Sequence, residues 1–142
     1  MDRIIETNIV IDHLRGNSPE ISKKINELIN EGINLTITQI TASELWYGVY
    51  SIKSKTKQLA EAKKLNEFLL SLIEIKTLDN DSSRIYGEIC VDLERVGLRI
   101  PKFDLLNASI AIANKYLLIT RDKKHFPRIN QFTEFDFLEL WD

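Results

Sequence analysis

Cysteine occurs once in the 142 residues, at Cys90, so the chain can form neither an internal disulfide nor a cysteine-built zinc cluster. Cys90 falls in a helical pattern and reads as a small core residue. Proline occurs three times and glycine five times, too scattered to make a linker between domains, and no repeat or low-complexity tract is present. No apolar run approaches the roughly 20 residues of a membrane-spanning helix. Met1-Asp2-Arg3 is followed by only two apolar residues before Glu6, which is not the pattern of a secretory leader. These absences predict a soluble, cytoplasmic protein. Excess positive charge is missing too. A net charge of −2 excludes an indiscriminate basic coat for nucleic acid but leaves room for a local basic rim.

What is present is ordinary globular composition, 44% apolar and 28% charged, at a length that suits one domain spanning residues 1–142 with a core of its own. Arg3 to Ile5 reads as a short apolar strand. Ile9, Val10, Ile11 and Leu14 suggest a helix closed by Gly16. Ser18-Pro19 is a helix start, a cap followed by proline at the first helical position. That helix runs to about Glu31, burying Ile21, Ile25, Leu28 and Ile29, and stops at Gly32. Leu35 to Thr38 reads as a strand, then come helices from Thr41 to about Ile52 and from about Thr56 to Ile73. Glu74 to Leu78 reads as a strand and Asp81 to Val96 as a helix. Gly97 to Lys102 is loop, and Asp104 starts an apolar helix reaching about Asn114. Leu117 to Thr120 and a stretch near Phe137 to Leu140 are the last strands. Strands separated by helices predict an α/β fold, a three-layer α/β/α domain around a mostly parallel sheet of four to five strands.

In such sheets, sites form beyond the carboxyl ends of the strands. Four acids stand at such places. Glu6 follows the first strand, and Glu44 sits in the first turn of the helix after the second. Asp104 opens the helix before Leu117 to Thr120, and Asp122 follows that strand. Gathered at one edge, four carboxylates repel one another unless a cation neutralises them, and oxygen-only ligation selects Mg²⁺ or Mn²⁺ over zinc. Each acid also has a plainer role. Glu44 completes a capping box with Thr41, Asp104 is a candidate N-cap, Asp122 caps a turn, and Glu6 is a polar strand end. The set carries the argument.

The same stretches resemble a known family. Ile4-Ile5-Glu6-Thr7-Asn8-Ile9-Val10-Ile11 resembles the opening motif of PIN domains. Ile40-Thr41-Ala42-Ser43-Glu44-Leu45-Trp46-Tyr47-Gly48-Val49 resembles the second, and Ile100-Pro101-Lys102-Phe103-Asp104-Leu105-Leu106-Asn107-Ala108-Ser109 the third. Leu118-Ile119-Thr120-Arg121-Asp122-Lys123-Lys124-His125-Phe126 resembles the fourth. Order and spacing cover nearly the whole chain, and by size it is most similar to VapC-type toxins. The resemblance implies an endoribonuclease dependent on Mg²⁺ or Mn²⁺, with Glu6, Glu44, Asp104 and Asp122 as catalytic metal ligands. It also implies a homodimer and a cognate antitoxin protein. Two positions depart from the family pattern. The first motif usually carries aspartate, and Glu6 moves its carboxylate outward by roughly 1.5 Å, one carbon–carbon bond. Mg²⁺ tolerates little distortion, so the alternative reading is a catalytically weakened RNA-binding or interaction module. Asn107 stands where the family often has an apolar residue. One turn after Asp104, it either faces the acids and donates a hydrogen bond, or is solvated.

Thr7, Asn8, Asn107 and Thr120 are candidates to orient the carboxylates, or to serve turns and caps. Arg15, Lys102, Arg121 and Lys123, with Lys124 and Arg128, are candidates to hold RNA phosphates, or are solubilising charge. A metal-free mechanism would use a pair of acid–base histidines. His13, within a helix, and His125, near a turn, do not make one. Trp46, Tyr47 and Tyr50 are core or the wall of a groove for an antitoxin peptide. Leu59, Ala62, Leu65, Phe68, Leu69, Leu72 and Ile73 make an apolar face broader than one small domain buries, which predicts a dimer or partner surface. A phosphoacceptor receiver domain lacks its strand-ending aspartate here, and a DNA flap nuclease would be larger.

Overall fold

The computed structural model describes residues 2–142. Among them the chain runs β1 (Arg3–Ile5), α1 (Thr7–Arg15), α2 (Pro19–Asn30), β2 (Leu35–Thr36), α3 (Gln39–Tyr50), α4 (Lys55–Ser71), α5 (Asn80–Arg95), α6 (Lys102–Asn114), β3 (Leu117–Thr120), α7 (His125–Asn130) and β4 (Leu138–Leu140). The four strands form one sheet in the order β2-β1-β3-β4, parallel at every pairing.

Successive residues of a strand face opposite ways, and that alternation builds the three layers. Ile5 and Ile119 point into one core, with Ile9, Val10, Ile25, Leu45 and Leu65 from α1 to α4. Their neighbours Ile4 and Leu118 point into the other, with Ile89, Leu93, Ala108, Phe126 and Ile129 from α5 to α7. Because β1 and β3 carry apolar side chains on both faces, the sheet centre is fully covered, as parallel sheets require.

Local signals set most element ends. Gly16 closes α1 in the left-handed conformation at φ 66°, which glycine adopts without steric cost. Ser18 caps α2, its hydroxyl accepting from the Ile21 N–H, with Pro19 following. Four expectations change. The β2 strand stops at Thr36 because Thr38 already caps α3, accepting from the Thr41 N–H at 3.1 Å. For the same reason the expected strand from Glu74 to Leu78 shrinks to one bridge. Lys76 N–H donates to Ile37 O at 2.9 Å and Gln39 N–H to Lys76 O at 2.8 Å, after which the partner chain turns into α3. Ile29 is 54% exposed, since each four-residue step advances about 40° round the helix and two such steps from Ile21 carry it to the edge of the buried stripe. Lastly, α7 forms where only a turn was expected, and fully buried Phe126 and Ile129 anchor it.

Candidate active site

Parallel β1 and β3 end side by side, Ile5 in register with Ile119. The Glu6 N–H then donates to Ile119 O at 2.9 Å. Chain direction thus brings Glu6 and the loop after Thr120 to the same edge. That loop is folded back on itself. The Asp122 N–H donates to the Thr120 hydroxyl at 3.0 Å, and Asp122 Oδ1 accepts from the Lys124 and His125 N–H groups at 2.7 and 3.0 Å. Asp122 therefore both closes the turn and starts α7. Thr120 is fully buried, and its hydroxyl serves this turn by accepting from the Asp122 backbone N–H.

Glu6 is buried, at 5% exposure, and is the N-cap of α1, its Oε2 accepting from the Asn8 N–H at 3.1 Å. The Asn8 side chain is exposed, so this residue supports the site through its backbone. Thr7 donates its hydroxyl to Glu44 Oε1 at 2.7 Å and lies 3.0 Å from the Thr41 hydroxyl. Glu44 is not part of a capping box with Thr41. The cap of α3 is Thr38, which puts Glu44 in the second turn, oriented by Thr7. Asp104 is not an N-cap either: α6 begins at Lys102 behind Pro101, without a side-chain cap. The Asp104 carboxylate is left for the cleft. Asn107 is buried at 1% exposure and accepts from the Thr38 hydroxyl. Rather than donating to an acid, it clamps α6 to the start of α3, fixing the spacing between Asp104 and Glu44.

The four acids influence one another electrostatically. Burial drives the Glu6 carboxyl from 4.5 to about 7, against the Asn8 N–H and with the help of Asp104, Glu44 and Asp122. Burial also raises Asp104 to about 6; the His125 ring pulls it down while Asp122 and Glu44 push it up. For Asp122 burial works upward, but the N–H groups of His125 and Lys124 and the His125 ring outweigh it and hold the carboxyl below its usual range. Carboxylates crowded until two of them resist ionisation are the donor set that a hard divalent cation neutralises. The cluster therefore fits a divalent cation.

One residue was missed. His125 enters the cluster, its Nδ1 lying 2.9 Å from Asp122 Oδ2 and 3.4 Å from Asp104 Oδ2. Its spacing of three from Asp122, with apolar Phe126 next, was the available sign that a helix begins there and turns the ring back towards the aspartate.

The basic candidates divide. Arg121 pairs with Asp12 at 2.8 Å and Lys123 reaches Asp142 at 3.6 Å. Lys102 is exposed at the start of α6. Arg15, with Lys57 and Lys64, rims a groove of about 360 Å³ that is floored by Ile11, Leu45 and Val49 and includes Glu44. The groove separates α1 and α3 from α4. Trp46 and Tyr50 stack at 5.9 Å, and Tyr47 and Tyr50 are 77% and 67% exposed, so these two tyrosines are surface rather than core. No described helix is long and apolar enough to cross a membrane.

Residues 3–131 match the family model of the PIN domain. The chain is 34% identical over 139 residues to "Ribonuclease VapC2" of Rickettsia felis, covering 98% of this chain and 97% of that protein. It is 30% identical over 125 residues to "Ribonuclease VapC19" of Mycobacterium tuberculosis, covering 88% and 92%. In structure it is similar to a chain of the Rickettsia felis VapBC2 crystal structure, bound to a DNA fragment from their promoter. There the TM-score is 0.86 and the identity 32%, with 100% of both chains covered.

Proposed function

The chain belongs to the PIN-domain family, and from that premise we propose that it is a divalent-cation-dependent endoribonuclease, the toxin of a toxin–antitoxin pair. The observation that carries this reading is the convergence of Glu6, Glu44, Asp104 and Asp122, each of the other three acids raising the proton affinity of Glu6. In this reading residues 1–142 form one cytoplasmic nuclease domain, and the four acids hold Mg²⁺ or Mn²⁺. A bound cation supplies positive charge to the phosphodiester and makes an attacking water more acidic. The protein's share is placement. Thr7 orients Glu44, Thr120 and the first turn of α7 fix Asp122, and Asn107 with Thr38 sets the distance between two helices. Lys102 and Arg15 lie on the exposed approaches, where they attract RNA phosphates. Arg121 is paired with Asp12 and contributes less, while Lys123 stays exposed beside a fully exposed Asp142.

Support for the antitoxin comes from the groove beside Glu44. Its apolar floor and mixed-charge rim suit an amphipathic peptide, and a segment lying there ends at the catalytic acids. A homodimer is proposed from α4. Leu65 is buried and Ala62, Phe68 and Leu69 pack inward, but Leu59, Leu70 and Ile73 stay 60%, 78% and 87% exposed.

The test is cleavage of RNA with Mg²⁺ or Mn²⁺ and with chelator, alongside Asp104→Asn. Activity is expected to need the cation, to leave 5′-phosphate and 3′-hydroxyl ends, and to vanish in Asp104→Asn while that variant stays folded. Cleavage that survives chelator, or 2′,3′-cyclic phosphate ends, overturns the reading. A second reading rests on Glu6 itself. Burial and the Asn8 N–H hold its longer side chain, so the chain is a weakened module if it binds Mn²⁺ and RNA without cutting.

A further inference from the structure

The His125 ring lies inside the acidic cluster, against both Asp104 and Asp122. Its backbone N–H donates to Asp122 Oδ1 at 3.0 Å, and the next residue, Phe126, is fully buried, so backbone and helix together fix where the ring stands. Nδ1 is 2.9 Å from Asp122 Oδ2 and 3.4 Å from Asp104 Oδ2. One ligand atom from each of Asp104, Asp122 and His125 lies within 4.8 Å of the other two. An octahedral cation with bonds of about 2.1 Å separates neighbouring donors by roughly 3.0 Å, close to both ring distances. Glu6 and Glu44, like Asp122, each have one carboxylate oxygen held by a hydrogen-bond donor. Glu6 Oε2 accepts from the Asn8 N–H, and Glu44 Oε1 accepts from Thr7.

We propose that His125 is itself a cation ligand, binding through Nδ1 to complete a three-residue face with Asp104 and Asp122. This rests on the metal-dependent reading above and adds a nitrogen donor to what the acids alone would make an all-oxygen site. An imidazole donor favours Mn²⁺ over Mg²⁺, because affinity for nitrogen ligands rises along the transition series while Mg²⁺ keeps to oxygen. It also offers a way for a site with Glu6 in the usual place of aspartate to hold its cation. The ring supplies a rigid donor where the longer carboxylate is committed to capping α1.

The experiment is Mn²⁺ electron paramagnetic resonance on the full chain, with pulsed detection of directly bound ¹⁴N and a Mn²⁺ titration. It is run on the wild type, on His125→Gln and on His125→Ala, with folding checked by circular dichroism. In His125→Gln the side-chain amide can still donate to Asp122 but cannot ligate as an imidazole, so this variant separates ligation from mere positioning. The wild type is expected to show one strongly coupled nitrogen, absent from both variants. His13 does not compete, since its Nδ1 lies 2.9 Å from the Ser22 hydroxyl, between α1 and α2. Mn²⁺ affinity is expected to fall in both variants by at least roughly tenfold, the loss that removing even an outer partner of a metal site causes. Mn²⁺ bound without nitrogen coupling, or wild-type affinity in His125→Gln, overturns the ligand role and leaves the four-acid reading standing. A wild type that binds no Mn²⁺ overturns both.

Discussion

Glu6→Gln is expected to stabilise the cation-free protein above neutral pH and to matter little in acid. Glu6 is 5% exposed, and its carboxyl is raised from 4.5 to about 7, first by burial and further by the charges of Asp104, Glu44 and Asp122. The folded chain therefore holds this proton more tightly than the unfolded chain, and folding takes up a proton between those two values. Stability contributed by the group is fully present below 4.5 and is lost as pH rises to about 7. Each tenfold change in proton affinity is roughly 1.4 kcal/mol, so the charged Glu6 costs about 3 kcal/mol at pH 8. At pH 5 the same linkage leaves under about 1 kcal/mol. Glutamine fills the same volume and keeps an oxygen for the Asn8 N–H, so the difference between the two proteins isolates the charge. The assay is urea unfolding in EDTA at both pH values, read as midpoint and slope. The variant is expected to exceed the wild type by up to about 3 kcal/mol at pH 8, the gap nearly closing at pH 5. Mn²⁺ at pH 8 is expected to stabilise the wild type more than the variant. Equal stability at pH 8 in EDTA, or a gap that does not change with pH, refutes the argument that buried charge dominates this position.

Three other outcomes are expected. Glu6→Asp raises cation-dependent cleavage, because the shorter side chain remains a good N-cap and brings the carboxylate back by one methylene. Lower cleavage would mean that the surrounding site is adapted to glutamate. Thr7→Val leaves Glu44 Oε1 without its donor at 2.7 Å and is expected to lower turnover about tenfold or more, as loss of an outer partner does, with a stability loss of only about 1–3 kcal/mol in urea. Sedimentation is expected to give a dimer at micromolar concentration, weakened by Leu70→Glu or Ile73→Glu; a mass of 16.5 kDa for the wild type would remove α4 as an interface.

Signals carried within a few residues were legible in the sequence. The apolar run from Arg3 to Ile5 marked a strand, glycine at 16 and Ser18-Pro19 marked helix ends, and strands parted by helices implied a parallel sheet. The same reading placed Glu6 and Asp122 just past strand ends, which the parallel register turns into neighbours. Tertiary structure decided what depends on partners far along the chain. Thr38 rather than Thr41 caps α3 because the chain pairs with Lys76 immediately before the helix begins. Asn107 faces Thr38, 69 positions away, and that contact spaces the acids on α3 and α6. The expected strand from Glu74 to Leu78 had suitable residues, but its partner had already turned into a helix. Ile29 matched the helical period yet lies off the stripe that the sheet covers. His125 looked like a turn residue, and only the packing of Phe126 and the meeting of α6 with the end of β3 bring its ring between two aspartates. Sequence periodicity determines which face a residue takes on its own element; which residues meet across elements depends on how those faces are stacked.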